Sequence, residues 1–469
     1  MKNILALLIL IYICFNIVCA SYASFIDKSE YPDSYDVEPK TNLYMNDNSV
    51  PLEASVENII EVNLDDCIRL ALGNNPKIQA AMQDVFSADS RIKQVWSNYF
   101  PQLSWQTGYS RIRQLQLSDV FQENLIYNFW VLGQISCTQL LYDFGITQNQ
   151  AAIRKLDKKG YEILLTNTIN DIVYQVKDCY YSLQYALEAK RVALSNVKEY
   201  EKFYEQAKLF YLSGMKPKVD VTIAEVNLSN AKLILIQTDH TVNISMAKLN
   251  NAIGINYNIK YNLTDKLCNC EYNINLDDAV KICEKTRPEF ELAEVKVKQA
   301  EQNIKLVQKN WRPQFIAQGQ FEIGGRHPDS NYGYTFGAYL NFPVINGILL
   351  KHQINEAKIL YAKSKANLSE VQNNIYFEVQ DAYYSLNEKK NKLPVAFLGM
   401  KQAKENYELS YGRYKSGVGN PVELNDAHIQ YENSQLTYYK VLYELNSAKA
   451  NLEKAIGRNL YDNGEIISK

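Results

Sequence analysis

The chain has 469 residues, with 50 Lys and Arg against 52 Asp and Glu, for a formal net charge of −2. That balance leaves no electrostatic case for nucleic-acid binding. Outside the first 23 residues the cysteines are Cys67, Cys137, Cys179, Cys268, Cys270 and Cys283; with no CxxC pair among them, neither a zinc module nor a disulfide scaffold is indicated.

Residues 1–23 read as an export signal: Lys2, an apolar run from Ile4 to Val18, then Ser21-Tyr22-Ala23 with cleavage near Ala23. The run is short for a membrane-spanning helix. Cys19 offers a second route, lipidation, although Val18 stands where such sites usually take a small residue. No later segment has ~18 consecutive apolar residues. Residues 24–60, with Pro32, Pro39 and Pro51, read as a polar, extended or disordered leader.

From residue 61 the chain says the same thing twice. "NLDDCIRLALGNNP" at 63–76 faces "NLDDAVKICEKTRP" at 275–288, and "YFPQL" at 99–103 faces "WRPQF" at 311–315, both 212 positions apart. "VKDCYYSL" at 176–183 faces "VQDAYYSL" at 379–386, now 203 apart, so a longer loop is expected in the first copy. The unit is too long for a solenoid repeat. The implied organisation is repeat 1 at 61–262, repeat 2 at 263–460 and a tail at 461–469. Asp65-Asp66 and Asp277-Asp278 lie at helix starts, where capping is the expected role, and Pro76 and Pro288 suit first helical positions.

After each aromatic-Pro joint the period becomes two. Leu103, Trp105, Thr107, Tyr109 and Arg111 alternate with Ser104, Gln106, Gly108 and Ser110. In 127–137 the odd positions are mostly apolar, while the even ones begin with Trp130 and Leu132 and then turn polar. Phe315 to Ile323 and Tyr332 to Phe342 repeat the pattern. Two hairpins are expected, at about 102–140 and 314–343, with external loops near 112–126 and 324–331. Alternation with aromatic ends suits strands between lipid and a wet lumen; a soluble half-buried sheet has the same period.

Ile146–Leu212 contains no proline and only Gly160, so a helix of about 100 Å is expected. Leu165, Ile169, Ile172, Val176, Cys179, Leu183 and Ala186 follow 4,3 spacing, resumed by Ala193, Val197, Tyr200, Tyr204 and Ala207. Leu368, Ile375, Val379, Ala382 and Leu386, then Ala396, Met400, Ala403 and Tyr407, do the same in the second copy. This spacing indicates side-by-side helix packing over great length, with a kink expected at Pro394. Reversals at Ser213-Gly214 and Ser416-Gly417 send helices back to Gly254 and Gly457. Cys268-Asn269-Cys270 reads as a loop with free or loosely oxidised thiols ahead of a metal site.

Four strands cannot close a barrel, and a sheet edge facing lipid is costly. A dimer of eight strands, a trimer of twelve or a tetramer of sixteen would close it.

The export signal, the duplicated "LDD…NP…FPQL" order, "LLYDFG" at 140–145 and "SGVGNPVELNDA" at 416–427 resemble the TolC family of outer-membrane efflux proteins over about residues 60–460. The resemblance implies an α+β membrane protein. Its fold would be a homotrimer with a twelve-stranded transmembrane β-barrel, four strands per chain, continued by a long periplasmic α-helical barrel. It further implies a passive conduit in outer-membrane lipid, in a tripartite efflux or type I secretion system. The partners would be a periplasmic adaptor (membrane fusion) protein and an inner-membrane efflux or ABC transporter; no cofactor is implied.

By the same resemblance, acidic side chains at the helical tips form the entrance constriction. Glu423 and Asp426 match those positions, three apart and so on one helix side; Asp220 is the first-copy counterpart of Glu423, and Ile223 that of Asp426. The competing reading is that these acids only complement a helix start after Pro421. Tyr414 matches a latch tyrosine whose arginine partner would fall at Gly419; a core tyrosine is the other reading.

An enzyme is disfavoured. His240, His327, His352 and His428 are scattered, and no P-loop or dinucleotide fingerprint is present. The rival from another class is a periplasmic coiled-coil adaptor or scaffold without a barrel. Nothing in the residues selects a substrate or a pump.

Overall fold

A computed structural model describes residues 60–117, 122–255, 259, 261–265, 267, 274–326, 331–343, 347–457, 461–462 and 465–466. The export signal with Cys19 and Ala23, the leader as far as residue 59, and the Cys268/Cys270 pair lie outside the described residues.

Two halves follow one order. The first runs β1 (Ile60–Val62), α1 (Leu64–Asn74), α2 (Pro76–Trp96), β2 (Gln102–Leu117), β3 (Gln122–Tyr142), α3 (Ile146–Leu212) and α4 (Lys218–Ile253). The second runs β4 (Tyr261–Leu263), α5 (Leu276–Thr286), α6 (Pro288–Lys309), β5 (Gln314–Gly325), β6 (Asn331–Asn341), α7 (Gly347–Lys415) and α8 (Pro421–Ile456). A pair of two-residue strands, Tyr461–Asp462 and Glu465–Ile466, falls in the tail.

Local chemistry accounts for the helix ends. Asn63 caps α1 in a capping box: its side chain accepts from the Asp66 amide at 2.7 Å, and the Asp66 carboxylate accepts from the Asn63 amide. Pro76 and Pro288 open α2 and α6, where a missing N–H leaves no bond unmade. The long helices α3 and α7 have 67 and 69 residues, about 100 Å each. α7 continues through Pro394, which has no N–H to donate to the helix ladder.

The two halves build one joint with different residues. α4 and α8 both end on a left-handed glycine, Gly254 at φ +89° and Gly457 at φ +69°. The chain of the preceding short helix lies so close that a Cβ at Gly254 would sit 2.8 Å from Asn75 Cα, and one at Gly457 2.8 Å from the Thr286 carbonyl oxygen. Asn75 donates to the Ala252 carbonyl at 2.8 Å, whereas Arg287, equally buried, donates to the Ala455 carbonyl at 2.8 Å. Gly457→Ala is expected to cost more in thermal stability than Gly214→Ala. Both positions pay the left-handed penalty of about 1–2 kcal/mol, but Gly214, at φ +74°, has open space around it. Equal melting temperatures for the two variants would rule out the close approach as a constraint.

Most of the 4,3 spacings become core. Ile172, Val176, Leu183 and Ala186 are buried with Val242, Leu249 and Ile253 of α4, and Ile375, Val379, Ala382 and Leu386 with Leu442, Leu445 and Leu452 of α8. Farther along α3, Phe203 is buried where the spacing pointed to Tyr204. Ala207 stays buried, so the inward stripe there runs Tyr200, Phe203, Ala207, with spacings of three and four. Lys177 and Glu453, nearly buried, form a 2.8 Å ion pair that joins α3 to α8 and so the first half to the second.

β2, β3, β5 and β6 make one antiparallel sheet in that order. Residues opposite one another share a face, and the register separates two chemistries. Leu103, Cys137, Gly319 and Phe336 align, as do Trp105, Ile135, Phe321 and Tyr334. The alternate rows are Ser104, Ser136, Gln320 and Thr335, then Gln106, Gln134, Glu322 and Gly333. The irregular alternation near Trp130 has a cause: register shifts between Gln106 and Gly108 and between Val131 and Gly133 mark one extra residue in β3, which reverses its parity. Trp130 then stands opposite Tyr109, ring centroids 4.6 Å apart.

One expectation is corrected. The 112–126 segment is not a long loop, because β2 extends to Leu117 and β3 begins at Gln122. The extra length of the first copy goes into strands of 16 and 21 residues, against 12 and 11 in the second. Backbone at that position satisfies its hydrogen bonds by pairing across the hairpin.

Candidate functional site

The candidate site lies where the two helical hairpins reverse, at the ends of α3 and α7. α3 stops at Leu212; Ser213 and the left-handed Gly214 turn the chain, and α4 starts after Pro217. α7 stops at Lys415, with the left-handed Gly417 and then Asn420, whose side chain caps α8 by accepting from the Val422 amide at 3.0 Å. The two reversals are neighbours, since Val197, Tyr200 and Phe203 of α3, Ala231 of α4, Tyr414 of α7 and Leu424 of α8 form one buried cluster.

Glu423 and Asp426 are both exposed in the first two turns of α8. Glu423 is paired with Arg413 at 3.1 Å, an exposed pair of small energetic weight. Asp220, half-buried in the first turn of α4, lies close enough to Tyr414 to act on its hydroxyl. Burial pushes that hydroxyl above the ordinary range, and the Asp220 charge pushes it further. Tyr414 is buried, with its ring 6.2 Å from Phe210.

Position 419 has no room for an arginine. A Cβ there would lie 2.6 Å from the Tyr414 amide nitrogen, because the turn folds back on α7 through Gly419 N–H to the Arg413 carbonyl at 2.9 Å. The arginine at this tip is Arg413, six positions earlier, a residue that the motif comparison did not single out.

Three more residues were missed. Asn425 accepts from Asn227 at 2.9 Å and from the Tyr200 hydroxyl at 3.4 Å, which ties the start of α8 to the first helical hairpin. His428 is buried at 2% exposure, and neither ring nitrogen has a partner. Aromatic rings surround it: Tyr200 at 4.8 Å, Tyr407 at 5.0 Å and Phe203 at 5.8 Å between centroids. Burial pushes its pKa down to about 4, with the Glu199 charge acting the other way. Glu432, one turn on, has its carboxyl pushed up by burial, with the nearby Asn196 side chain acting the other way. The signal for His428 was its place in the inward spacing Leu424, His428, Tyr431 of α8.

Among the described residues no group of three or more His, Cys, Asp or Glu could hold a metal ion, and no helix is long and apolar enough to cross a membrane. The arrangement has exposed acids at a chain reversal, held over a packed aromatic core. It can attract or repel charge.

The Outer membrane efflux protein family model matches residues 67–255 and 281–458. Nodulation protein T of Rhizobium leguminosarum bv. trifolii is 23% identical over 346 residues, 69% of this chain and 71% of that protein. The Campylobacter jejuni CmeC outer membrane channel superposes with a TM-score of 0.71 at 15% identity, covering 95% of each chain. The open state of the Neisseria gonorrhoeae MtrE outer membrane channel superposes with a TM-score of 0.67 at 17% identity, covering 86% of this chain and 90% of that one.

Proposed function

Because the chain belongs to the outer membrane efflux protein family, an outer-membrane channel family whose members extend into the periplasm, we propose that three copies form a passive conduit. In this reading a twelve-stranded barrel is continued by a barrel of helices. Each half, 61–262 and 263–460, supplies one strand hairpin and one helical hairpin to the ring. A periplasmic adaptor and an inner-membrane efflux or ABC transporter would deliver the cargo, and the conduit itself would be passive.

The observation that carries this reading is the sheet. One face is apolar and aromatic, with Trp105, Tyr334 and Phe336 exposed at 69%, 68% and 61%. The other is lined by Ser, Thr, Gln and Glu. Its outer strands β2 and β6 pair on one side only within the chain. In lipid such edges must pair, and β6 of one copy against β2 of the next does so. A periplasmic scaffold has no use for an aromatic face and a polar face on one sheet. The test is detergent extraction from outer-membrane fractions, followed by mass measurement and disulfide trapping between cysteines placed on β2 and β6. A monomer soluble without detergent would defeat the conduit and favour the scaffold.

The tips would form the periplasmic entrance. There Glu423 and Asp426, with Asp220 behind them, present stacked carboxylates that favour cations. Tyr414 would act as part of the packing that keeps the tip shut, and the Asn425 bonds would hold one hairpin to the other. Replacing Glu423 and Asp426 together by alanine is expected to weaken block by divalent cations several-fold and to change conductance in planar bilayers. Unchanged block and conductance would remove these residues from the constriction.

A further inference from the structure

The tip core contains one group with no evident structural purpose. His428 is enclosed by Tyr200 and Phe203 from α3 and by Tyr407 from α7, and neither of its buried nitrogens has a hydrogen-bond partner. A buried polar group without a hydrogen bond is a cost to the fold, and phenylalanine would fill the same space without it. The surrounding hydroxyls point their protons elsewhere, and none is within hydrogen-bond reach of the ring. The Tyr200 hydroxyl donates to Asn425, and the Tyr407 hydroxyl is directed to Glu199 at 3.5 Å.

We propose that His428 makes this packing acid-labile: a proton on its ring forces the start of α8 away from α3 and α7 and so favours an open tip. The proposal rests on the reading of the tip as a closable entrance. An imidazolium needs two acceptors or water, and in this packing no acceptor lies within hydrogen-bond reach of either ring nitrogen.

The charged and titratable groups facing the ring from each packed element set the sign. From α3 come Tyr200 and Glu199, the latter engaged by Lys202 at 2.9 Å. From α7 come Tyr407 and Tyr411, and from α8 Glu432 and Tyr431. α4 contributes only the neutral Asn227, through Asn425. In the closed packing the histidine pKa is held at about 4, below the 6.5 of an unperturbed histidine. The open form therefore binds more protons between these values, and the closed-to-open ratio falls as the pH drops through 6.5, by up to about tenfold per pH unit. Glu432 works in the opposite direction: its raised carboxyl holds a proton more readily in the closed form, so acid alone would tighten its contact. A response to acid in the opening sense is thus attributable to the histidine.

The experiment uses the full-length protein in detergent and in planar bilayers, titrated from pH 7.5 to 5 on the periplasmic side. Two readouts are followed: open probability, and hydrogen exchange in residues 421–432 expressed relative to the intrinsic amide exchange rate at each pH. In the wild type both should rise with acid. In H428F, and in H428L as a second apolar variant, neither should rise above the pH 7.5 level, while E432Q should keep the rise. A wild type whose exchange is flat, or an H428F or H428L protein that responds as the wild type does, overturns the proposal. Absence of current at every pH, with exchange still rising in acid only when His428 is present, would instead defeat the conduit reading and leave the acid-labile packing standing.

Discussion

Replacing Lys177 by alanine is expected to destabilise the protein by about 3–5 kcal/mol, the usual range for breaking one partner of a buried ion pair. Lys177 and Glu453 have side-chain exposures of 11% and 12%, with 2.8 Å between Nζ and Oε2. Removing the ammonium leaves the Glu453 carboxylate in a poorly hydrated seam between α3 and α8. The decisive comparison is a double-mutant cycle with Lys177→Met, Glu453→Met and both together. The double variant should recover most of the loss, because two apolar side chains of similar length fill the seam without a charge. Melting of the helical signal of the detergent-solubilised protein would provide the measurement. Additive losses would show that the pair does not couple the two halves.

Asp143 should rank next. It lies in "LLYDFG", in the turn from β3 into α3, and is 1% exposed. Its carboxylate accepts from the Thr147 amide at 2.5 Å, the Tyr99 hydroxyl at 2.8 Å and the Gly145 amide at 3.0 Å. The backbone around it needs this support. Phe144 has φ +55° and Gly145 φ +83°, and their carbonyls are taken up by Arg312 and Lys309 at 3.1 Å each. Burial by itself would raise the Asp143 carboxyl; the donors from Thr147, Tyr99 and Gly145 outweigh it and hold the carboxyl below the ordinary value.

The linkage sign follows from that direction. The stabilisation is fully present above the unfolded carboxylate pKa of about 3.9 and is lost as the pH falls through the lower folded value. Asp143→Asn keeps the shape but turns an amide group toward a backbone amide, so a loss of about 2–3 kcal/mol is expected near neutral pH. The variant should also lose less further stability than the wild type between pH 5 and 3. Melting temperatures across that range check both points, and parallel curves for the two proteins would exclude Asp143 as the source.

The same motif shows how far residues could be read. "LLYDFG" was a mark of resemblance with no stated reason; the structure supplies one, a carboxylate that closes a strained strand-to-helix turn. The two aromatic-Pro joints were legible as joints, since proline and a change of period mark them. That the joint between α4 and α2 uses Asn75, and its counterpart Arg287, was not, because both residues act on carbonyls nearly 170 or more positions away. Gly419 read as a missing arginine. Its closeness to the Tyr414 backbone explains the glycine and shifts attention to Arg413. Alternation in β3 was blurred by a bulge, which only the pairing register reveals.

What the residues determined by themselves is periodic and local: where helices begin and end, which stripe of each faces inward, and that four segments alternate as strands. Those properties depend on neighbours within one or two turns, so a linear chain displays them. The tertiary structure alone decided that β3 pairs with β5, that Lys177 meets Glu453, and that His428 sits without a hydrogen-bond partner among aromatic rings. Each is a meeting of residues far apart in the chain, and their chemistry depends on burial, which arises only when the hairpins pack against one another.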